Sequence, residues 1–366
     1  MRRLLLTLLL FCPIALGAQA PHARNVILFL ADAAGIPTIN AASTLGYGAP
    51  RKLFIQRMPH IGLSETSTAS ELVTDSAAGM TAIVTGERTH NGVISQSAAA
   101  KRNKADGTAL KTIFEYAEER GLSTGVISND SLAGATPAAL YAHANDRDKT
   151  AEIFLQAFTP RFGDGVDVMI GAGRSEIVEA LQEGGKDLAS VSRAYGRPIL
   201  DALPAAGSFA DRMIVLVEDQ EFDLAAAVAL ATRALSRNPR GYFLMVESDA
   251  HTDKIKHGIN RVVTFDRVIE RVASSAGPDT LLLFTADHSY GLRVHGGTAS
   301  TLLSGFSEVF DEQQYVRLPS LSMDDTHTGE EVLVAAQGPG ADQVRGYMAN
   351  TDLFRVMMSA LGWSER

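Results

Sequence analysis

Three apolar runs in this sequence stop just short of residues that can bind a metal or move a proton. Asp32 follows residues 25–31, Glu247 follows residues 242–246, and the pair Asp287-His288 stands just beyond residues 280–285. In an open α/β sheet the carboxyl ends of the strands line the ligand crevice, so such residues converge although far apart in the chain. Singly, each is equally well a helix cap or a loop charge. Three strand ends with the same kind of ligand chemistry point to one site.

Asp253 and His257 are four apart, which on a helical turn puts both side chains on one face, as a metal-binding pair requires. With Asp287, His288 and His327 the oxygen and imidazole ligands are numerous enough for two zinc ions, with positions left open for substrate oxygens. The stretch Val73-Thr74-Asp75-Ser76-Ala77-Ala78-Gly79 places Ser76 at the start of a helix of small residues. A helix N-terminus offers unpaired N–H groups and a partial positive charge, both suited to phosphate. On local composition alone, an ordinary cap on a buried helix is the better account of Asp75 and Ser76.

The elements that must position these residues read as α/β. Residues 25–31 form a continuous apolar run, as expected of a parallel strand covered on both faces. Similar runs recur at 122–127, 167–170, 213–217, 242–246, 280–285 and 331–336, with helical stretches between most of them. Residues 108–120 and the stripe Ile259, Val262, Val263, Ile269 and Val272 show helical spacing. Residues 289–325 break the pattern and read as an inserted loop or subdomain.

The chain has 366 residues, is 46% hydrophobic and carries a formal net charge of -9, which gives no basic footprint for nucleic acid. Arg2-Arg3, an apolar run to Leu16 and the small residues Gly17, Ala18 and Ala20 read as a secretory signal peptide over residues 1–20, cleaved near 17–20. The apolar run is too short to span a membrane. The only cysteine, Cys12, falls inside that leader, so residues 21–366 are expected as one exported domain without disulfides, periplasmic or secreted.

The segment V-T-D-S-A-A-G-M-T-A around Ser76 resembles the active-site signature of alkaline phosphatases. Residues 25–35, Ala135-Thr136-Pro137 with His143 and Arg147, residues 247–257, Asp287-His288, and His327-Thr328-Gly329-Glu330 resemble that family's other blocks in the same order. The resemblance implies a three-layer α/β/α sandwich with a mostly parallel sheet and a small cap or crown-like insertion. It implies hydrolysis of phosphate monoesters through a phosphoserine at Ser76. One zinc would be held by Asp32, Asp287 and His288, the other by Asp253, His257 and His327. Magnesium would be held by Asp32, Thr136 and Glu247, the phosphate would be gripped by Arg147, and Lys254 would be a phosphate contact or a surface charge. Relatives are often dimers, so a homodimer acting on small phosphate monoesters is expected.

Two departures stand out. Gly134 occupies a position where many members carry Asp or His, and it can ligate nothing, which leaves magnesium weak or replaced. Glu247 and Asp253 are one residue further apart than is usual, so the loop must bulge or Asp249 or His251 must substitute. The rival readings are a phosphodiesterase of the same superfamily and a phosphate- or metal-binding relative without catalysis. A sulfatase would need a C/S-x-P-x-R context at the nucleophile, which is lacking.

Overall fold

The computed structural model describes residues 22–205 and 212–364. The expected leader and its cleavage site lie outside them. The first strand, β1 (Asn25–Asp32), is buried at every position. Its even-numbered residues Val26, Leu28 and Leu30 enter one apolar cluster and its odd-numbered residues Ile27, Phe29 and Ala31 the other. Both faces of the strand are therefore covered, which is why the sequence shows an unbroken apolar run rather than an alternating one.

Around β1 the chain builds a ten-stranded sheet. The other strands are β2 (His60–Ser64), β3 (Ser123–Ser131), β4 (Val168–Ala172), β5 (Ile199–Leu200), β6 (Met213–Leu216), β7 (Tyr242–Asp249) and β8 (Thr280–Thr285). A smaller set follows, β9 (Ser289–Val294), β10 (Tyr315–Arg317), β11 (Leu321–Thr328), β12 (Val332–Gln337) and β13 (Gly346–Met348). The large sheet runs β13-β2-β12-β8-β1-β7-β3-β4-β6-β5. All its pairings are parallel except those of β12 with β2 and β8.

Helices cover both faces. One layer contains Ile36–Tyr47, Leu224–Leu235 and Ile255–Ser275, and the other contains Ser76–Thr85, Ile113–Glu119, Ala135–Tyr141 and Asp352–Ala360. Edge-to-face aromatic pairs tie each layer to the sheet, Phe29 with Phe265 at 5.8 Å and Phe114 with Phe243 at 5.5 Å. This is the expected three-layer sandwich.

The break at residues 289–325 is a separate three-stranded antiparallel sheet, ordered β10-β11-β9. Its inner residues Leu292, Val316, Leu321 and Met323 join one of the main core clusters. The expected helix over 108–120 begins only at Ile113, because Thr112 and Glu115 form a reciprocal capping box there. Among the described residues no helix is long and apolar enough to cross a membrane.

Candidate metal centre and active site

Strand register delivers the first group of residues. Parallel pairing sets Asp32 opposite Asp249 and Leu30 opposite Glu247, so β1 and β7 present their acids together at their carboxyl ends. Asp287 and His288 follow β8, the neighbour of β1 on its other side. The Ser76–Thr85 helix begins against this edge, capped by Asp75, whose side chain accepts from the N–H of Ala78 at 3.0 Å.

Ser76 is the first helical residue and is buried. Its hydroxyl donates to Asp32 Oδ2 at 3.2 Å and stands 3.3 Å from His288 Nε2. Thr136 donates to the same Asp32 oxygen at 3.2 Å. The other oxygen of the capping residue, Asp75 Oδ2, accepts from the N–H of Gly92 at 2.8 Å and from Arg147 Nη1 at 3.2 Å. One carboxylate thus fixes both the helix start and the arginine beside it. Asn91, whose sequence context reads as turn chemistry, also braces this segment. It accepts from the N–H of Asp75 at 2.9 Å and donates to Val73 O at 3.1 Å.

Three imidazoles gather above the serine, His251, His288 and His327, with ligand atoms within 4.8 Å of one another. The rings of His288 and His327 stack at 3.9 Å. In each imidazole Nδ1 is engaged as a donor. That of His327 donates to Thr74 O at 3.0 Å, that of His288 to Ser289 O at 3.1 Å, and that of His251 to Asp249 Oδ1 at 2.8 Å. In neutral His288 and His327 Nε2 therefore carries a lone pair, the state in which imidazole binds metal. In His251 burial is outweighed by Asp32 and the hydrogen bond to Asp249, which raise it to about 9, so its Nε2 would give up a proton to a bound cation.

A second group, Asp32, Asp287 and His288, meets the same 4.8 Å criterion and is wholly buried. His288 Nε2 lies 3.3 Å from Asp32 Oδ1 and 3.6 Å from Asp287 Oδ2, and neither of those oxygens has a hydrogen-bond donor. Three acceptors facing one another in a buried space is an arrangement that a bound cation resolves.

The titration behaviour fits the same account. Burial, then the charge of Asp32, pushes Asp287 up to about 8. Burial, Asp32 and Asp130 raise Glu247 well above the carboxylate range. Asp32 is held low in spite of its burial, because His251 and His288 face it. Burial also lowers His288 and His327, keeping them neutral.

Not every residue expected at the site comes together there. His257 Nε2 lies 3.3 Å from Glu221 Oε1, and the ring lines a separate cavity of about 250 Å³ with Asn129 and Arg261. The structure brings His251 to His288 and His327 instead. The reason is local. The helix begins at Ile255, so Asp253 lies before it and the helical spacing assumed for Asp253 and His257 does not apply. Asp253 lies close enough to Tyr290 for its charge to help raise that hydroxyl, after burial and Asp325. Lys254 is exposed at the helix start.

Gly134 also has a packing explanation. A Cβ there would come within 2.8 Å of Ser131 O, the atom that accepts from the N–H of Gly134 itself at 2.8 Å. The tight turn excludes a side chain at that point. Thr136, Asp32 and Glu247 remain close, and Glu247 accepts a hydrogen bond from the Ser128 hydroxyl.

The sequence model of the Alkaline phosphatase family matches residues 23–208 and 207–316. The chain belongs to the alkaline phosphatase family. Among similar proteins, Streptomycin-6-phosphate phosphatase of Streptomyces griseus is 29% identical over 93% of this chain and 91% of its own length. The alkaline phosphatase of Gadus morhua is 27% identical over 88% of both chains. In three dimensions the alkaline phosphatase of the Antarctic bacterium TAB5 overlays with a TM-score of 0.75 at 25% identity, covering 95% of this chain and 100% of that one. The Thermus thermophilus alkaline phosphatase, at 22% identity and a TM-score of 0.79 over 98% and 97% of the two chains, shares the fold.

Proposed function

We propose that this protein hydrolyses phosphate monoesters outside the cytoplasm and releases inorganic phosphate, with Ser76 as the nucleophile. The observation that carries the reading is the seat of the Ser76 hydroxyl, 3.2 Å from Asp32 and 3.3 Å from His288 at the start of a helix.

Asp32, Asp287 and His288 would hold one zinc, and His327 with His251 the other, with Asp253 on the adjoining loop. His251 takes the place expected of His257. Asp32, Thr136 and Glu247 form an all-oxygen set suited to a hard cation such as magnesium. A TAB5 variant is described with Mg bound in its M3 site. When bound, two zinc ions would acidify the serine hydroxyl and neutralise charge on the attacking and leaving oxygens.

The chain's own groups supply the rest. Asp32 orients the Ser76 hydroxyl through its hydrogen bond, and the open helix start offers N–H groups to phosphate oxygens. Arg147, braced by Asp75, has further N–H groups free to grip two oxygens of a terminal phosphate, which a diester presents less well. Transfer to Ser76 followed by attack of water divides the reaction into two displacements through a phosphoserine. The relative named for streptomycin 6-phosphate acts, by its name, on such a monoester. We expect residues 21–366 to form one catalytic domain, exported on the leader over residues 1–20 and assembled as a homodimer.

The test is turnover of a chromogenic phosphate monoester at alkaline pH, with a diester run in parallel. Turnover should vanish on chelation, return with zinc, and be absent in Ser76→Ala. Undiminished turnover by that variant, or a preference for the diester, would overturn the proposal.

A further inference from the structure

We propose that Asp249 and Arg261, backed by Glu221, form a positioning relay that fixes His251 as a metal ligand. This rests on the reading of His251 given above and extends it to residues with no contact to substrate.

The relay is continuous. His251 Nδ1 donates to Asp249 Oδ1 at 2.8 Å. Arg261 Nη1 donates to the other oxygen, Asp249 Oδ2, at 2.6 Å. Arg261 Nη2 and Nε both donate to Glu221 Oε1, at 2.6 and 3.1 Å. The backbone N–H of Asp249 donates to Asn129 Oδ1 at 2.7 Å, and that of His251 to Asp249 Oδ1 at 3.1 Å.

Each carboxylate oxygen of Asp249 therefore has a separate task, one holding the imidazole and the other held by the guanidinium. An ion pair serving stability alone would not need the first. A carboxylate bonded to Nδ1 fixes the tautomer and ring orientation and leaves Nε2 for a metal, and such outer partners commonly set metal affinity.

The geometry also accounts for the unusual spacing in this chain. Asp249 is the last residue of β7, in register with Asp32, and Ala250 donates from its N–H to Asp32 O at 3.0 Å. His251 is thus the second residue off a rigid strand end, well before the helix that begins at Ile255. A ligand on so short a tether needs its ring angle set from behind. Arg261, on that helix with its side chain only 10% exposed, supplies the brace. Its rigid planar fork reaches two carboxylates from fixed directions, a geometry that the single ammonium of a lysine does not reproduce.

Metal-free protein titrated with zinc against a chelating indicator, by stoichiometry and affinity, tests the relay without using turnover. His251→Ala should lose one ion. Arg261→Gln should keep the full stoichiometry but bind one ion ~10–100-fold more weakly. Glu221→Gln, at a largely exposed side chain, should shift affinity the same way by less. Circular dichroism of the metal-free proteins separates a folding defect, and if Arg261→Gln does not fold, Glu221→Gln decides. If His251→Ala loses an ion while both relay variants bind as the parent does, the relay is wrong and the site stands. If His251→Ala keeps every ion at parental affinity, the assignment of His251 falls, and the relay with it.

Discussion

The hydroxyl of Ser76 and the carboxylate of Asp32 meet at 3.2 Å although 44 residues separate them in the chain. Thr136 donates to the same oxygen, so a single carboxylate at the end of the central strand organises both hydroxyls. Its other oxygen has no donor and faces His288. Ser76, the proposed nucleophile, and the candidate metal set are therefore parts of one hydrogen-bonded unit, and damage to either should be felt by both.

Metal removal should lower thermal stability. Asp32, Asp287 and Glu247 are buried close together, and two of their oxygens lack donors. A ligand bound only by the folded state stabilises it by mass action, so chelation should lower Tm by an amount on the order of 5 °C, and zinc should restore it. Calorimetry before and after chelation measures this. An unchanged Tm would argue against bound metal.

Arg147→Ala should lower kcat/KM for a phosphate monoester about 10–100-fold and affect a diester less. Arg147→Lys should recover little, because a lysine held by Asp75 cannot also present a planar fork. Steady-state rates on both esters check this.

Gly258→Ala should destabilise the fold even though alanine favours helix. A Cβ at residue 258 would lie 2.1 Å from His251 O and 3.0 Å from Ala250 O, both backbone atoms. Relieving that overlap should cost about 1–3 kcal/mol, more than the helical gain, and should push His251 away from His288. Urea denaturation together with zinc affinity reads both effects.

Glu118 gives a pH dependence remote from the site. Burial, then the charges of Asp167 and Asp164, raises it from 4.5 to about 7, against the hydrogen bond from Thr124. Between those values the unfolded chain releases the proton while the folded chain keeps it, so stability falls as pH rises from about 4.5 to 7 and stays lower above. At roughly 1.4 kcal/mol per unit this amounts to about 3 kcal/mol. Denaturation at pH 5 and pH 8 should show Glu118→Gln gaining on the parent by about that amount between the two.

The central architecture is legible in the sequence because a parallel strand covered on both faces must be apolar along its interior, as residues 26–31 of β1, 242–246 of β7 and 281–284 of β8 are. The edge of the sheet is not legible. β2 exposes Ile61 and Leu63 and is only five residues long, while β13 and β5 are shorter still. The small sheet of β9 to β11 is missed because just one of its faces meets the core, which leaves short alternating runs that resemble loop. At the site, residues at strand ends and the helix start are visible from sequence. His251 is visible only as the long step from Glu247 to Asp253, since the Asp253–His257 spacing has meaning only on a helix that starts later. Asp249 and Arg261 carry no motif, because their pairing depends on how a strand end and a helix face each other in space.

His327 owes its position to the small sheet, where it pairs with Tyr290 just past a bulge. The chain enters this sheet directly after His288 and leaves it after Thr328, one residue beyond His327, while the stretch from 295 to 314 makes the turn at its far end. Chain length can therefore change at that turn without altering the spacing of the two histidines, since loop closure costs little per added residue. The far turn of this small sheet is the place where the chain can lengthen or shorten while His288 and His327 keep their positions beside Ser76.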